Sequence, residues 1–278
     1  MAELELTADR REELAGLLAD EQRLRAEYPK VAEYLDATPM LPGTGNDRAD
    51  AAFDLRFVHY MTGGPSISTN PYWDIVAPSI SEREGRRVID GGRPRGSARL
   101  GFAQTVLQAA YAYAVPAPET LEWLRAFCGH RPLVELGAGR GYWAALLART
   151  GLQVDAYDSQ PPHTSQNPSF TRASGRPDVW LPVGDLTAFT ARSVGRRDEV
   201  LLLCWPPGWG NPMASEALNL FESHGGRRLV YIGEPRGGKT GDDAFFDALD
   251  SRWTIESEDS RFASWWNLSD RAQAWVRK

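Results

Sequence analysis

Three glycines that follow a short apolar segment near the middle of the chain form its most informative stretch. It reads Leu133-Val-Glu135-Leu-Gly137-Ala138-Gly139-Arg-Gly141-Tyr-Trp. Glycines permit positive φ and remove the Cβ atoms that would keep a ligand away from the backbone, and a following helix begins with unpaired N–H groups. This geometry predicts a ligand-binding turn, although a tight strand-to-helix turn also needs glycine for structural reasons alone. A nicotinamide or flavin fingerprint would read GxGxxG, whereas the pattern here is ExGxGxG.

Acidic residues end the next two apolar segments. Asp158, followed by Ser159, lies at about the distance from the last loop glycine at which a Rossmann-type fold places the acid that accepts the ribose hydroxyls. Asp185, followed by Leu186, ends the third segment. Either aspartate could instead cap a turn at the surface. Their order and spacing together favour a nucleoside site.

This combination resembles the signature of class I S-adenosylmethionine-dependent methyltransferases, over about residues 131–278. The resemblance implies a doubly wound sheet and S-adenosylmethionine as the cofactor. In that family an acid ends strand one, the glycine loop passes under the methionine part of the cofactor, and later acids hold the ribose and the adenine amino group. The implied cofactor-binding residues are Glu135, Gly137, Ala138, Gly139, Gly141, Asp158, Ser159, Asp185, Leu186, Trp205 and Pro206.

The segment after the fourth apolar stretch departs from a related signature. Cys204-Trp205-Pro206-Pro207-Gly208 is placed like the Asp/Asn-Pro-Pro-Tyr motif of methyltransferases that act on amino nitrogens. Trp205 stands where Asp or Asn would accept hydrogen bonds from the amine, and Gly208 stands where an aromatic residue would be. Amine methylation is therefore not implied, and a packing loop beside the cofactor is the alternative.

Three residues are the candidates for catalytic groups. Glu234 follows the fifth apolar segment in a glycine-rich loop, and burial would raise its pKa toward that of a general base. It could equally form an ion pair with another loop. His59 and Tyr113 belong to a set of aromatic and ionisable residues in the first half of the chain that could form a lid, although a lone histidine often has a structural hydrogen-bonding role.

Composition excludes several classes of function. The net charge of −6 gives no global positive field for nucleic acid. Two cysteines without CxxC spacing predict neither a metal site nor a disulfide, and we expect a cytoplasmic protein without a secretory signal or a membrane span. An arginine cluster could form an anion site or simply a solvated surface: Arg83, Arg86, Arg87, Arg93, Arg95 and Arg99.

The elements that must position these residues can be predicted from periodicity. Residues 2–35 favour one or two amphipathic helices, 38–99 are rich in turn-forming residues, and helices are expected at 100–114 and 119–127. Short apolar strands then alternate with helices, which indicates a parallel sheet buried on both faces. The predicted strands are 133–136, 154–157, 179–183, 200–204, 229–232, 253–256 and 272–276.

We therefore predict an α/β fold with a doubly wound, seven-stranded methyltransferase-type sheet over 131–278 and a mainly helical, loop-rich region over 1–130 that covers the site. The leading function is methyl transfer to a small molecule or a peptide side chain. Two alternatives remain open: a different displacement or cyclisation on the same fold without net methyl transfer, and a non-catalytic partner subunit. The first helices could pack on the same chain or form a homodimer or heteromeric interface.

Overall fold

The chain forms two structural units. A computed structural model describes residues 4–171, 178–191 and 197–278. The first unit contains Met1–Tyr111, Gln166–Asp178 and Trp265–Asn267, and the second contains Ala112–Ser165, Val179–Ser264 and Leu268–Lys278. The second unit thus begins upstream of the boundary predicted after residue 130.

The first unit is mainly helical. Its helices are α1 Ala8–Ala19, α2 Glu21–Glu27, α3 Pro29–Ala37, α4 Asp47–Met61, α5 Pro71–Val76 and α6 Ala98–Ala110. An antiparallel hairpin, β1 Ile80–Arg83 and β2 Arg86–Ile89, precedes α6. The backbone N–H of Trp266 donates to the Ile89 carbonyl at the end of this hairpin, 3.3 Å away.

Two expectations for this unit need correction. The segment predicted as one or two helices forms three, because Asp20 ends α1 and caps α2, and Pro29 cannot extend a preceding helix. The segment 38–99 contains α4, α5 and the hairpin. Asn46 and Asn70, which suggested turns, are N-caps that accept hydrogen bonds from Ala49 N and Trp73 N, each at 3.1 Å.

The second unit is built on a seven-stranded sheet of order β5-β4-β3-β6-β7-β10-β8. β10 runs antiparallel to both neighbours and the remaining pairs are parallel. This confirms the predicted α/β fold with a doubly wound, seven-stranded sheet. The strands are β3 Leu133–Leu136, β4 Val154–Asp158, β5 Val183–Asp185, β6 Val200–Cys204, β7 Arg228–Gly233, β8 Trp253–Glu258 and β10 Arg271–Arg277, while the short β9 Ala263–Trp265 lies outside this sheet.

In the described part of the second unit, helices lie between or before these strands along the chain. They are α7 Pro118–Cys128, α8 Tyr142–Arg149, α9 Leu186–Ala191, α10 Met213–Ser223 and α11 Asp243–Arg252. The strand predicted at 179–183 is shifted to β5, because the backbone N–H of Trp180 donates instead to the Arg140 carbonyl at 2.9 Å.

The core of this unit explains why the parallel strands are nearly all apolar. Leu201 and Leu203 of β6 are fully buried and pack in one cluster with Leu218 of α10 and Phe245 of α11. Burial of such side chains contributes about 25 cal/mol per Å² of apolar surface. A central parallel strand covered by helices therefore has no polar face. Within the described part of the chain, no helix is long and apolar enough to cross a membrane.

Candidate functional site

The glycine loop makes the turn that the sequence predicts, with all three glycines at positive φ. The φ angles are 76° at Gly137, 54° at Gly139 and 76° at Gly141. A Cβ on Gly141 would lie 2.9 Å from the Leu181 carbonyl oxygen, and one on Gly137 would lie 2.7 Å from Met213 Cε. A Cβ on Gly139 would meet open space. Gly137 and Gly141 are therefore needed because neighbouring atoms leave little room for a Cβ, whereas Gly139 leaves its backbone accessible.

Glu135 lies beneath this loop with one carboxylate oxygen unsatisfied. Its side chain is 2% exposed, and the Ala144 backbone N–H, in the first turn of α8, is a hydrogen-bond partner of the carboxylate. Oε2 has no hydrogen-bond partner. Burial, with a smaller contribution from the charge of Asp158, raises the pKa of Glu135 to about 8. A buried acceptor without a donor costs folding free energy, so it points to a ligand donor.

Asp158 fixes the end of β4 against the glycine loop. Its Oδ2 accepts from Gly139 N and its Oδ1 accepts from Gln160 N, each at 2.8 Å. The carboxylate remains partly exposed, and each of its oxygens can accept a further hydrogen bond. The predicted acid is thus placed next to the middle glycine, where a ligand can reach both.

Asp185 at the end of β5 is placed differently from Asp158. Its Oδ1 accepts from Ala188 N at 2.7 Å, which caps α9. It is exposed and does not line the cavity described below, whereas the adjacent Leu186 does. The structure therefore gives Asp185 the capping role that the sequence left open, and its role toward adenine stays a prediction.

A cavity of about 520 Å³ opens at the carboxyl edge of the sheet, entirely within the second unit. Its volume is in the range of small-molecule sites. Among its lining residues, the ionisable side chains are Asp158 and Glu216, both acidic. It therefore suits a neutral or cationic ligand better than a phosphate. Six predicted cofactor-binding residues line it: Gly137, Asp158, Ser159, Leu186, Trp205 and Pro206.

Trp205 is held in an unusual conformation where β6 ends. Its φ is 55°, in the left-handed region that non-glycine residues rarely adopt. Its backbone N–H donates to the Ile232 carbonyl at 2.7 Å, and the carbonyl of Pro206 accepts from Gly241 N at 3.1 Å. Gly208 N donates to the Lys239 carbonyl at 3.1 Å. The Trp-Pro-Pro-Gly loop is thereby fixed against the loop that follows β7.

Sequence reasoning missed Asp270 and Ser264. Asp270 is 2% exposed and accepts from Trp205 Nε1 at 3.0 Å and from the Ser264 hydroxyl. Because β10 runs antiparallel, the residue before its first position lies at the edge where the parallel strands end, and this signal could have identified Asp270. On the other side, the Tyr113 ring stacks on Trp205 with centroids 5.5 Å apart.

Glu234 is buried and engaged by backbone groups. Its Oε1 accepts from Ser269 N at 3.0 Å and its Oε2 accepts from Lys239 N at 2.7 Å. Only 5% of the residue is exposed. This arrangement orients two loops at the edge of the sheet. The ion pair that was the alternative for Glu234 is replaced by these two amides.

Other polar residues of the loop after β7 bind residues of α10 and α11. Arg236 pairs with Asp247 at 2.8 Å and with Asp250 at 3.1 Å. Asp242, at the position before α11, makes no side-chain cap, and its Oδ1 accepts from Ser215 N at 3.1 Å. The charges in this segment are therefore used to hold the helices.

His59 belongs to the first unit and is 3% exposed there. Its Nδ1 accepts from Arg10 Nε at 3.2 Å, and its Nε2 lies 3.5 Å from the Pro65 carbonyl. Burial and then the Arg10 charge lower the pKa of His59. Because Nδ1 accepts a hydrogen bond from a cation, the ring is neutral. These contacts match the structural role that the sequence left open for this histidine.

The arginine cluster of the first unit is largely engaged within that unit. Arg83 pairs with the fully buried Asp90, and Arg99 pairs with Asp54 at 3.1 Å. Arg87 lies over the ring of Trp73, 5.2 Å from its centroid. The charges of these three arginines thus stabilise the hairpin and helices of the first unit. In the described residues, no group of His, Cys, Asp and Glu has the arrangement of a metal site.

No protein-family model matches the sequence, and no curated protein matches it. Solved structures that are similar include magnesium protoporphyrin IX methyltransferase from Synechocystis PCC 6803 with bound SAM, at 15% identity, 85% of this chain and 100% of that chain covered, and a TM-score of 0.35. A methyltransferase from Streptomyces caelestis is 16% identical, with 58% and 90% covered and a TM-score of 0.36. Ribosomal protein L11 methylase from Lactobacillus delbrueckii subsp. bulgaricus is 17% identical, with 57% and 78% covered and a TM-score of 0.35.

Proposed function

We propose that this chain binds S-adenosylmethionine in the cavity at the carboxyl edge of the seven-stranded sheet and transfers its methyl group to a small molecule or a peptide side chain. The observation that carries the proposal is that Gly137 of the glycine turn, Asp158 and Trp205 line one cavity of about 520 Å³. In an open α/β sheet, ligands bind in the crevice outside the carboxyl ends of the strands.

Polar groups of the cavity, of the glycine turn and of the strand before that turn fit this cofactor. Asp158 has acceptor capacity for the ribose hydroxyls, and the open backbone at Gly139 allows close approach. The unsatisfied Oε2 of Glu135 suits an ammonium donor, such as the amino group of a methionine moiety. The acidic lining suits a cofactor that carries positive charge and lacks phosphate.

The chain's own residues then have three tasks in methyl transfer. The bound cofactor supplies an electrophilic sulfonium methyl group. Pro206 and Pro207 form a rigid wall that helps to exclude water. Tyr113, which is 57% exposed and stacks on the cavity-lining Trp205, is the predicted catalytic candidate that would contact an acceptor or its proton. Glu234 orients the loops through two backbone amides, and His59 stabilises the first unit.

Isothermal titration with S-adenosylmethionine and its demethylated product tests the proposal. Both should bind to the wild type, and Asp158→Ala should weaken binding by about tenfold to a hundredfold, as loss of hydrogen bonds to a charged group predicts. Asp158→Asn should weaken it less, because one acceptor oxygen remains. Asp155→Asn, on the same strand but outside the cavity lining, is the matched control.

The outcomes separate the alternatives as well. Absence of binding by both ligands to the folded wild type would remove the proposal. Loss of binding in Asp185→Asn would establish the predicted adenine contact for that residue. A product that forms without gaining a methylene equivalent in mass would favour the displacement or cyclisation alternative over methyl transfer.

A further inference from the structure

Trp205 keeps a side chain at a position where glycine would be easier to accommodate. A non-glycine residue at φ of 55° costs about 1 kcal/mol or more. The following Pro206 and the hydrogen bond from Trp205 N to the Ile232 carbonyl hold the strained backbone in place. Such strain at the carboxyl end of a buried strand suggests that the indole itself has a function.

The indole is anchored by a buried carboxylate. Nε1 donates to Asp270 Oδ2 at 3.0 Å, and the other carboxylate oxygen accepts from the Ser264 hydroxyl. Asp270 is 2% exposed, so water screens the interaction between its charge and the adjacent indole only weakly. A carboxylate that accepts from the indole N–H polarises the ring and makes its faces more negative.

The same indole forms part of the cavity wall. Tyr113 stacks on it with an interplanar angle of 15°, which fixes the ring plane. Asp158 and Glu216 add negative charge to the lining of the same cavity. A cation is attracted to the face of tryptophan more strongly than to that of tyrosine or phenylalanine.

We propose that the Trp205 indole, polarised by Asp270, recognises the positive charge at the sulfonium of the cofactor. Trp205 is then a specificity-determining residue, and Asp270 is a positioning residue that acts through it. This inference rests on the proposed cofactor site. As a consequence, the site should discriminate between S-adenosylmethionine, whose sulfur is charged, and the product with a neutral sulfur that must leave after methyl transfer. This discrimination should depend on the Trp205 ring and not only on the acidic residues of the cavity.

The experiment measures dissociation constants by isothermal titration for three probes: S-adenosylmethionine, its demethylated product, and sinefungin, which carries a protonated amine in place of the sulfonium. Asp270→Asn keeps the shape and an acceptor oxygen for the indole but removes the charge. It should weaken binding of the two charged probes by about threefold to tenfold and change binding of the neutral product by less than about twofold. Trp205→Phe should produce the same selective loss, and it provides a second reading if Asp270→Asn folds poorly.

Two control variants separate this effect from general ones. Glu216→Gln removes a negative charge from an exposed position of the same cavity without touching the indole, and it should give a smaller selective loss. Asp259→Asn changes another buried aspartate, which accepts from the Thr120 hydroxyl at 2.6 Å and does not line the cavity. It should leave the ratio of the dissociation constants unchanged.

The result can overturn the inference while the proposed function stands. If the wild type binds all three probes and Asp270→Asn weakens them equally, the indole does not recognise charge. An equal selective loss in Glu216→Gln would assign the discrimination to the acidic lining instead. If the folded wild type binds neither the cofactor nor its product, the proposed function itself fails.

Discussion

Replacement of Glu135 by glutamine should stabilise the fold increasingly as the pH rises. The pKa of the buried carboxyl is raised from its ordinary 4.5 to about 8. The folded state therefore binds this proton more tightly than the unfolded state does. Under proton linkage, the contribution of Glu135 to stability is fully present below pH 4.5 and is lost as the pH rises through about 8.

The magnitude follows from the shift. Each pKa unit corresponds to about 1.4 kcal/mol, so the cost that has developed between pH 4.5 and pH 7 is about 3 kcal/mol. Glutamine removes this cost and keeps an oxygen that can accept from Ala144 N. Its new amide N–H groups lack a partner, which offsets about 1 kcal/mol or more. We expect a net gain of about 1–2 kcal/mol at pH 7, or a few degrees in melting temperature.

Thermal unfolding followed by circular dichroism at several pH values between 5 and 8 measures this effect. The difference in melting temperature between Glu135→Gln and the wild type should grow with pH, while other titrating groups cancel in the difference. A difference in melting temperature that stays constant with pH, or that decreases as the pH rises, would refute the reasoning. The same variant should bind S-adenosylmethionine more weakly, because a bound ammonium would stabilise the ionised form of Glu135 and glutamine cannot ionise.

Three further predictions concern folding. Between pH 7 and pH 5, His59→Gln should lose less stability than the wild type. Burial and the Arg10 charge lower the pKa of His59, so the wild type becomes less stable as the pH falls below about 6.5. Melting temperatures that fall equally in both proteins would contradict this. Gly141→Ala should lower the melting temperature more than Gly139→Ala, because both have positive φ but only Gly141 would clash with a backbone carbonyl; equal losses would assign the effect to φ alone. Asp90→Ala should destabilise the first unit by about 2–3 kcal/mol, because the Ser81 hydroxyl, Gly92 N and the partly exposed Arg83 lose their acceptor; limited proteolysis, compared with the wild type, should show this as earlier cleavage.

The sheet and the glycine loop could be predicted from the sequence because their signals are local. The apolar runs that became β3 and β6 are buried on both faces, and no polar alternation obscures them. The glycines of the loop and the acid after β4 stand at fixed distances along the chain, so their meeting at one edge follows from parallel topology. The predicted cavity residues Gly137 and Asp158 illustrate this.

Turn-forming residues in the first half gave a misleading signal for the same local reason. Asn46 and Asn70 favour turns and also cap helices, and the sequence does not distinguish the two uses. Asp185 presents the same ambiguity at the carboxyl end of β5, where its oxygen caps α9. In each case a short polar side chain satisfies the nearest free backbone N–H.

What the sequence determined by itself is the position along the chain of the seven strands of the sheet, the open glycine turn and the acid beside it, because each depends on spacing over a few residues. Only the tertiary structure decided which polar groups are satisfied. Trp205 and Asp270 are 65 residues apart and meet through the antiparallel insertion of β10, and the unsatisfied oxygen of Glu135 is defined by what surrounds it in space. Hydrogen-bond partners of buried groups depend on strand order and register, which local spacing does not contain.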